Sequence, residues 1–216
     1  REILPVPSIL KQIPKGKTYL IPILQLRNPK PSMVEVQSFS DYVSIAPIMC
    51  LSLDGVSLTS EMFRIMLSSI LQNNVINKIS LKNTPLDAEG WKFLCYFLTK
   101  LPEGNNMISL DLTMVAGIHC NVQRPSKSSY SCTLSRMQCN LDDRLDRNWN
   151  LLIASIGCNP HLNLHNFFVS GCKVNHLGAT TWKNFLNISC KNVERLGLAY
   201  CALELDHIEE LAEWIS

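Results

Sequence analysis

One spacing recurs through this chain and constrains its fold more than any other feature. An apolar or spacer residue is followed by apolar residues 3, 5, 8 and usually 10 positions later. It is clearest at Ile48, Leu51, Leu53, Val56, Leu58, at Ile76, Ile79, Leu81, Thr84, Leu86, and at Val193, Leu196, Leu198, Cys201, Leu203. Weaker copies start at Ile21 (Leu24, Leu26, Pro29, Pro31), at Met107 (Leu110, Leu112, Val115) and at Asn159 (Leu162, Leu164, Phe167, Val169). Self-similarity at a fixed period marks a repeat array. It predicts a solenoid, in which stacked units offer an extended surface rather than one closed pocket.

Each comb begins with a Leu-x-Leu pair, which turns two side chains to the same side of a strand. A helix-period segment follows. In the second repeat it covers Glu61 to Leu71, with Phe63, Met66, Leu67 and Ile70 on one face and Thr59 or Ser60 as N-cap. In the third, Asp87 caps a helix carrying Trp91, Leu94, Cys95 and Leu98. In the fourth, after a long insertion, the helix resumes near Trp149, Leu152, Ile153 and Ile156. In the last, Asp206 precedes Ile208, Leu211, Ala212 and Ile215. Strand, turn and helix in alternation predict an α/β solenoid with parallel strands on the concave side and helices on the convex side.

The combs start 27, 28, 31, 52 and 34 residues apart. Repeats of this length with a full outer helix resemble the ribonuclease-inhibitor class of leucine-rich repeats over residues 21–216. The long interval carries an insertion at about 117–147, with a polar tract from Gln123 to Ser131. Insertions in such arrays map to loops, often on the binding face. Arg124 and Lys127 beside Ser126, Ser128 and Ser129 make candidate contacts and phosphosites, since a phosphate would reverse the local charge. Residues 1–20 differ in character. Pro5, Pro7, Pro14 and Gly16 forbid a long helix, and Ile3, Leu4, Val6, Ile9 and Leu10 could cover the first repeat as a cap. The chain begins at Arg1 and stops inside an expected repeat helix, so it reads as a fragment of a longer protein.

Composition narrows the function classes. A formal charge of +2 over 216 residues argues neither for nor against nucleic acid, but the predicted concave positions hold no run of Lys and Arg interleaved with aromatics, which argues against it. No stretch approaches the 18 or so uninterrupted apolar residues of a membrane span. Nine cysteines without a regular framework indicate reduced thiols in a cytosolic or nuclear compartment, and a cytoplasmic setting is expected. There is no Gly-x-Ser-x-Gly elbow and no phosphate loop, so no enzyme activity and no cofactor are expected. Cys158, His161, His165, Cys172 and His176 resemble a zinc set only in composition. Two histidines four residues apart on one strand would stand about 13 Å apart, too far to share an ion.

The predicted concave positions are Ile23, Gln25, Arg27; Cys50, Ser52, Asp54; Lys78, Ser80, Lys82; Ser109, Asp111, Thr113; His161, Asn163, His165; and Arg195, Gly197, Ala199. Parallel strands about 4.8 Å apart would align them in ladders. One ladder alternates in sign through Arg27, Asp54 and Lys82. With Lys78, Asp111, His161, His165 and Arg195, these are the candidate protein-binding residues.

Several phrases carry a narrower resemblance: Tyr19 to Arg27 (YLIPILQLR), Leu51 to Val56 (LSLDGV), Ser109 to Met114 (SLDLTM), Asn121 to Ser129 (NVQRPSKSS) and Arg195 to Tyr200 (RLGLAY). Together they resemble a fungal family of leucine-rich-repeat proteins that interact with type 1 protein phosphatase. That resemblance implies a large, mostly cytoplasmic protein with disordered flanks and no activity of its own. Phosphatase docking often uses a basic residue, Val or Ile, a spacer, then Phe or Trp. The nearest phrase here, Lys78-Ile79-Ser80-Leu81, ends in Leu and falls in a predicted core strand. GTPase-activating proteins for Ran use the same repeat class. The alternative expectation is therefore a regulator that presents an arginine or asparagine from a strand-to-helix loop to a small GTPase. A third possibility is a purely structural repeat segment, with binding elsewhere in the longer protein.

Overall fold

In a computed structural model, residues 7–13, 20–115 and 149–216 are described. The expected insertion, with Arg124, Ser126, Lys127, Ser128 and Ser129, lies outside them. Six strands form one parallel sheet in sequence order: β1 (Ile21–Gln25), β2 (Ile48–Ser52), β3 (Lys78–Ser80), β4 (Ser109–Asp111), β5 (Asn166–Phe168) and β6 (Arg195–Gly197). A one-turn helix α1 (Pro7–Leu10) precedes them. Helices α2 (Met33–Ile45), α3 (Ser60–Leu71) and α4 (Ala88–Lys100) follow the first three strands. Residues 149–157 form α5, Ala179–Asn184 form α6 and Leu205–Ile215 form α7. A π-helical turn, Phe185–Ser189, extends α6.

The comb is the core. The first tooth of each strand pairs in register: Leu24 with Leu51, Leu51 with Ile79, Ile79 with Leu110, Leu110 with Phe167, and Phe167 with Leu196. The first five of these are fully buried. The second teeth Leu26, Leu53, Leu81, Leu112 and Val169 are buried as well. Thr59 and Asp87 cap α3 and α4 by accepting from the N–H groups of Met62 and Gly90. Both helices bury the side chains their 3.6 period assigned to the core.

The fifth repeat is a correction. Its strand is Asn166–Phe168, so its teeth are Phe167, Val169, Cys172 and Val174, not Leu162, Leu164, Phe167 and Val169. The comb is self-similar under a shift of five, because teeth at 3 and 5 become teeth at 8 and 10. A frame displaced by five residues therefore still matches Phe167 and Val169. In the observed frame successive first teeth lie 27, 28, 31, 57 and 29 residues apart. A second correction concerns the last helix. Its N-cap is Glu204, and Ile208 and Ile215 are exposed rather than buried.

Two further devices hold neighbouring repeats together. In every repeat after the first, the residue four beyond the first tooth has a left-handed backbone: Gly55, Asn83, Met114, Gly171 and Tyr200. In the first four its N–H donates to the next repeat, to the carbonyls of Lys82, Thr113, Ser170 and Ala199 at 2.7–3.0 Å. Met114 and Tyr200 adopt this conformation without being glycine, at a cost of about 1 kcal/mol each. The next position carries a side-chain donor in three repeats. Thr84 Oγ1, Cys172 Sγ and Cys201 Sγ donate to the carbonyls of Leu53, Leu112 and Val169, at 2.6, 3.4 and 3.3 Å. Threonine and cysteine at a comb position thus do more than fill volume.

Asparagines clamp the helix ends. The carbonyl of Val43 in α2 would take the N–H of the residue four on, but that residue is Pro47. Asn73, buried after α3, donates to Val43 O at 2.6 Å and to Ala46 O at 2.7 Å, and accepts from Val75 N at 3.0 Å. The same arrangement recurs at α4, where Leu98 faces Pro102. Asn159 donates to Leu98 O and Leu101 O at 2.7 and 3.1 Å and accepts from His161 N.

Candidate functional site

Residues between the teeth point away from the helices and line the open face of the sheet. Strand register arranges them in three rows. The first runs Ile23, Cys50, Lys78, Ser109, Asn166, Arg195. The second runs Gln25, Ser52, Ser80, Asp111, Phe168, Gly197. Two residues further along lie Arg27, Asp54, Lys82, Thr113, Ser170 and Ala199. His161, Asn163 and His165 therefore leave the rows, and Asn166, Phe168 and Ser170 take their places. The physical reason is the five-residue frame shift described above.

The displaced histidines are engaged elsewhere. His161 lies exposed in the loop before β5, where its backbone N–H and carbonyl bond Asn159 and Asn105. His165 immediately precedes β5. Its Nδ1 is 3.0 Å from Glu194 Oε1, so that nitrogen carries the proton, and Nε2 then accepts from the Asn163 amide at 3.0 Å. Cys172 is buried and bonded to Leu112 O. Among the described residues no three His, Cys, Asp or Glu side chains are placed to hold a metal ion.

The charges on the open face divide into two groups. The acids are internally satisfied. Asp111 is buried, with Oδ2 3.2 Å from Lys82 Nζ and Oδ1 accepting from Thr113 N at 3.1 Å. Asp54 Oδ1 accepts from Ser80 Oγ at 2.6 Å and from Lys82 N at 3.1 Å. The ladder thus does not pair simply by sign, since Lys82 turns its ammonium to Asp111 and only its backbone to Asp54. Arg27, Lys78 and Arg195 form no ion pair with any described residue. Arg27 and Arg195 are exposed and Lys78 is half-buried. Among the described residues, unpaired positive charge on this face outnumbers unpaired negative charge, which is Asp54 alone.

Around these cations the face is shaped by apolar and small groups. Ile23 stands half-exposed near the Arg27 end. The Phe168 ring lies over Gly197, where a Cβ would come within 2.6 Å of Phe168 Cδ1, so glycine there makes room for the ring. Cys50 adjoins Lys78 on β2, and burial pushes its thiol above the ordinary value, which leaves it a neutral neighbour. The docking-like phrase Lys78-Ile79-Ser80-Leu81 cannot be offered to a partner, because Ile79 and Leu81 are fully buried teeth. No described helix is long and apolar enough to cross a membrane.

The open-face residues that sequence reasoning missed are Asn166, Phe168 and Ser170. Their signal was the run Phe167, Val169, Cys172, Val174, a complete comb with Leu164 as its leading residue. The helix clamps also had a signal, a proline four residues after a core helix position with an asparagine in the following repeat.

Comparison with known proteins places this geometry. The chain is 54% identical over 215 residues to MAP-homologous protein 1 of Saccharomyces cerevisiae, covering all of this chain and 15% of that protein. It is 30% identical over 220 residues to HMG2-induced ER-remodeling protein 1 of the same yeast, again over the whole chain and 16% of the relative. Only about a seventh of these relatives' length is therefore represented. Among solved structures, a tropomodulin C-terminal domain from Caenorhabditis elegans aligns over 84% of this chain and 91% of that one, with a TM-score of 0.51. At 12% identity that likeness concerns the fold alone. The family profile described as the MHP1/HER1/GIP3 LRR domain matches residues 1–216, and the chain belongs to that leucine-rich-repeat family.

Proposed function

We propose that this domain is a non-catalytic protein-interaction module, a ribonuclease-inhibitor-type solenoid whose concave sheet face holds an acidic segment of a partner protein in the cytoplasm. Membership in a leucine-rich-repeat domain family supports an interaction role. The observation that carries the finer reading is the division of charge on the open face. Asp111 is buried and paired with Lys82, and exposed Asp54 is bonded through one oxygen to Ser80 and the Lys82 N–H, while Arg27, Lys78 and Arg195 have no acidic partner among the described residues, which leaves positive charge in excess. They stand on β3, on β6 and just beyond β1. Five strand spacings separate β1 from β6, about 24 Å in all, enough to seat an extended segment of seven or so residues.

The partner we propose first is type 1 protein phosphatase, on the sequence resemblance given above. The test is calorimetric titration of the full-length protein with the purified phosphatase catalytic subunit. The comparison is a variant carrying Arg27→Glu, Lys78→Glu and Arg195→Glu. Three partly exposed ion pairs at about 0.5–1 kcal/mol each amount to about 10- to 100-fold in Kd. Binding that weakens by that factor supports the reading. No binding at all removes the phosphatase from it, and binding indifferent to the three reversals removes the open face.

A further inference from the structure

The two ends of the sheet are finished differently. At the β1 edge, Gln12 uses its side-chain amide as a strand would. Its Nε2 donates to Gln25 O and its Oε1 accepts from Gln25 N, both at 2.9 Å. Ile9 is buried beside it, as are Ile21, Leu24 and Leu26. That edge is bridged at Gln25.

The β6 edge has none of this. Its teeth Leu196 and Leu198 are only partly buried, although their equivalents in the earlier repeats are buried. The last helix is more telling. In α3 and α4 the residues 4, 7, 8, 10 and 11 positions after the N-cap are all buried: Phe63, Met66, Leu67, Ser69, Ile70, and Trp91, Leu94, Cys95, Phe97, Leu98. The same five positions in α7 are Ile208, Leu211, Ala212, Trp214 and Ile215, and none is buried. Ile215 is 70% exposed. A terminal repeat that ends an array carries a polar outer face. This one carries the apolar pattern of an interior repeat. Tyr200 repeats the theme. It holds the left-handed position whose N–H, in the four preceding repeats, donates to the next repeat, and its ring is 92% exposed.

We propose that the β6–α7 face docks one further strand-and-helix unit supplied in cis by the longer polypeptide. The unit adds a strand parallel to β6 and lays a helix on α7. The acids Asp206, Glu209 and Glu213 hold positions that are exposed in α3 and α4 too, so they face solvent, and the added unit meets the apolar Ile208, Ala212 and Ile215. A second copy of this chain fits poorly. Head-to-tail addition meets Gln12, which already holds the backbone groups of Gln25 on β1. Two-fold pairing through β6 that kept the helices on one side would run the strands antiparallel, unlike every pair in this sheet. A source in cis exists in the relatives, where the matched region is 15–16% of the length. This inference is independent of what the open face binds.

The test is amide hydrogen exchange of the full-length protein, read by mass spectrometry at several protein concentrations. Residues 193–203 should be protected to within about tenfold of residues 107–115, at every concentration. Leu205→Glu with Ile208→Glu, both exposed within the six repeats, should lower protection of 193–203 by at least tenfold and leave 48–86 unchanged. Rapid exchange of 193–203 in the wild-type protein would overturn the proposal. So would protection that appears only with dimerisation in sedimentation, which would assign the face to a second copy.

Discussion

Asn73 offers the sharpest test of how these repeats are joined. Replacing it with Ala removes one side chain and strands two buried carbonyls, those of Val43 and Ala46, and the part-buried N–H of Val75. Pro47 has no N–H to offer Val43, so that carbonyl has no helical substitute. A buried polar group left unpaired costs about 1–3 kcal/mol. Asn73 retains slight exposure, at 9%, so water can reach part of the gap and the three costs do not sum in full. The expected loss is about 2–4 kcal/mol, or about 5–15 °C in Tm for a domain of this size. Urea unfolding followed by far-UV circular dichroism reads it directly. Asn106→Ala is the control, because it removes a single exposed bond, to Asn74 O at 2.7 Å, and should cost less than about 0.5 kcal/mol. An Asn73→Ala protein within 0.5 kcal/mol of wild type would refute the clamp.

Thiol chemistry and acid stability give two further predictions. Burial pushes the thiols of Cys95 and Cys190 up to about 12, whereas Cys158 is exposed, so iodoacetamide at pH 8 should label Cys158 at least a hundredfold faster in the native protein. Peptide mapping showing equal rates would contradict the packing of α4 and α6. The Glu35 carboxyl is held below its ordinary value, first by the Ser32 N–H and then by the Asn28 amide. A depressed carboxylate contributes stability above its unfolded-state value and loses it as pH falls through the folded one. Glu35→Gln should therefore be less stable than wild type at pH 7 and match it near pH 2. A gap that persists in acid would mean Glu35 acts by packing.

The parts of the fold legible from sequence were those fixed by local periodicity. Leu51, Ile79 and Leu110 announced their strands because each sits in a comb with short, regular spacing to the next. The α3 and α4 caps were readable because Thr59 and Asp87 precede helix-period segments directly. The fifth repeat was misplaced because the comb overlaps itself at a shift of five, and nearby repeat lengths could not fix the frame across so long an interval. Hydrophobicity alone did not separate Leu162 and Leu164 from the true teeth Phe167 and Val169; only strand register did. The last helix was read as core because its apolar pattern is that of an interior repeat. Burial depends on a neighbour that a local pattern does not contain. The charge ladder was visible as Arg27, Asp54 and Lys82, but not its resolution. Which acid a lysine reaches depends on side-chain geometry, and Lys82 reaches Asp111.

The claim that most needs a direct measurement is that the open sheet face, and not the helical face, receives the partner. A photo-crosslinking amino acid can be placed at Asn166, in the first open-face row, or at Tyr96, exposed on α4, in the full-length protein within cells. The account predicts a covalent adduct from position 166 that disappears when Arg27, Lys78 and Arg195 are reversed to Glu, and none from position 96. Adducts from position 96 with none from position 166 would contradict it.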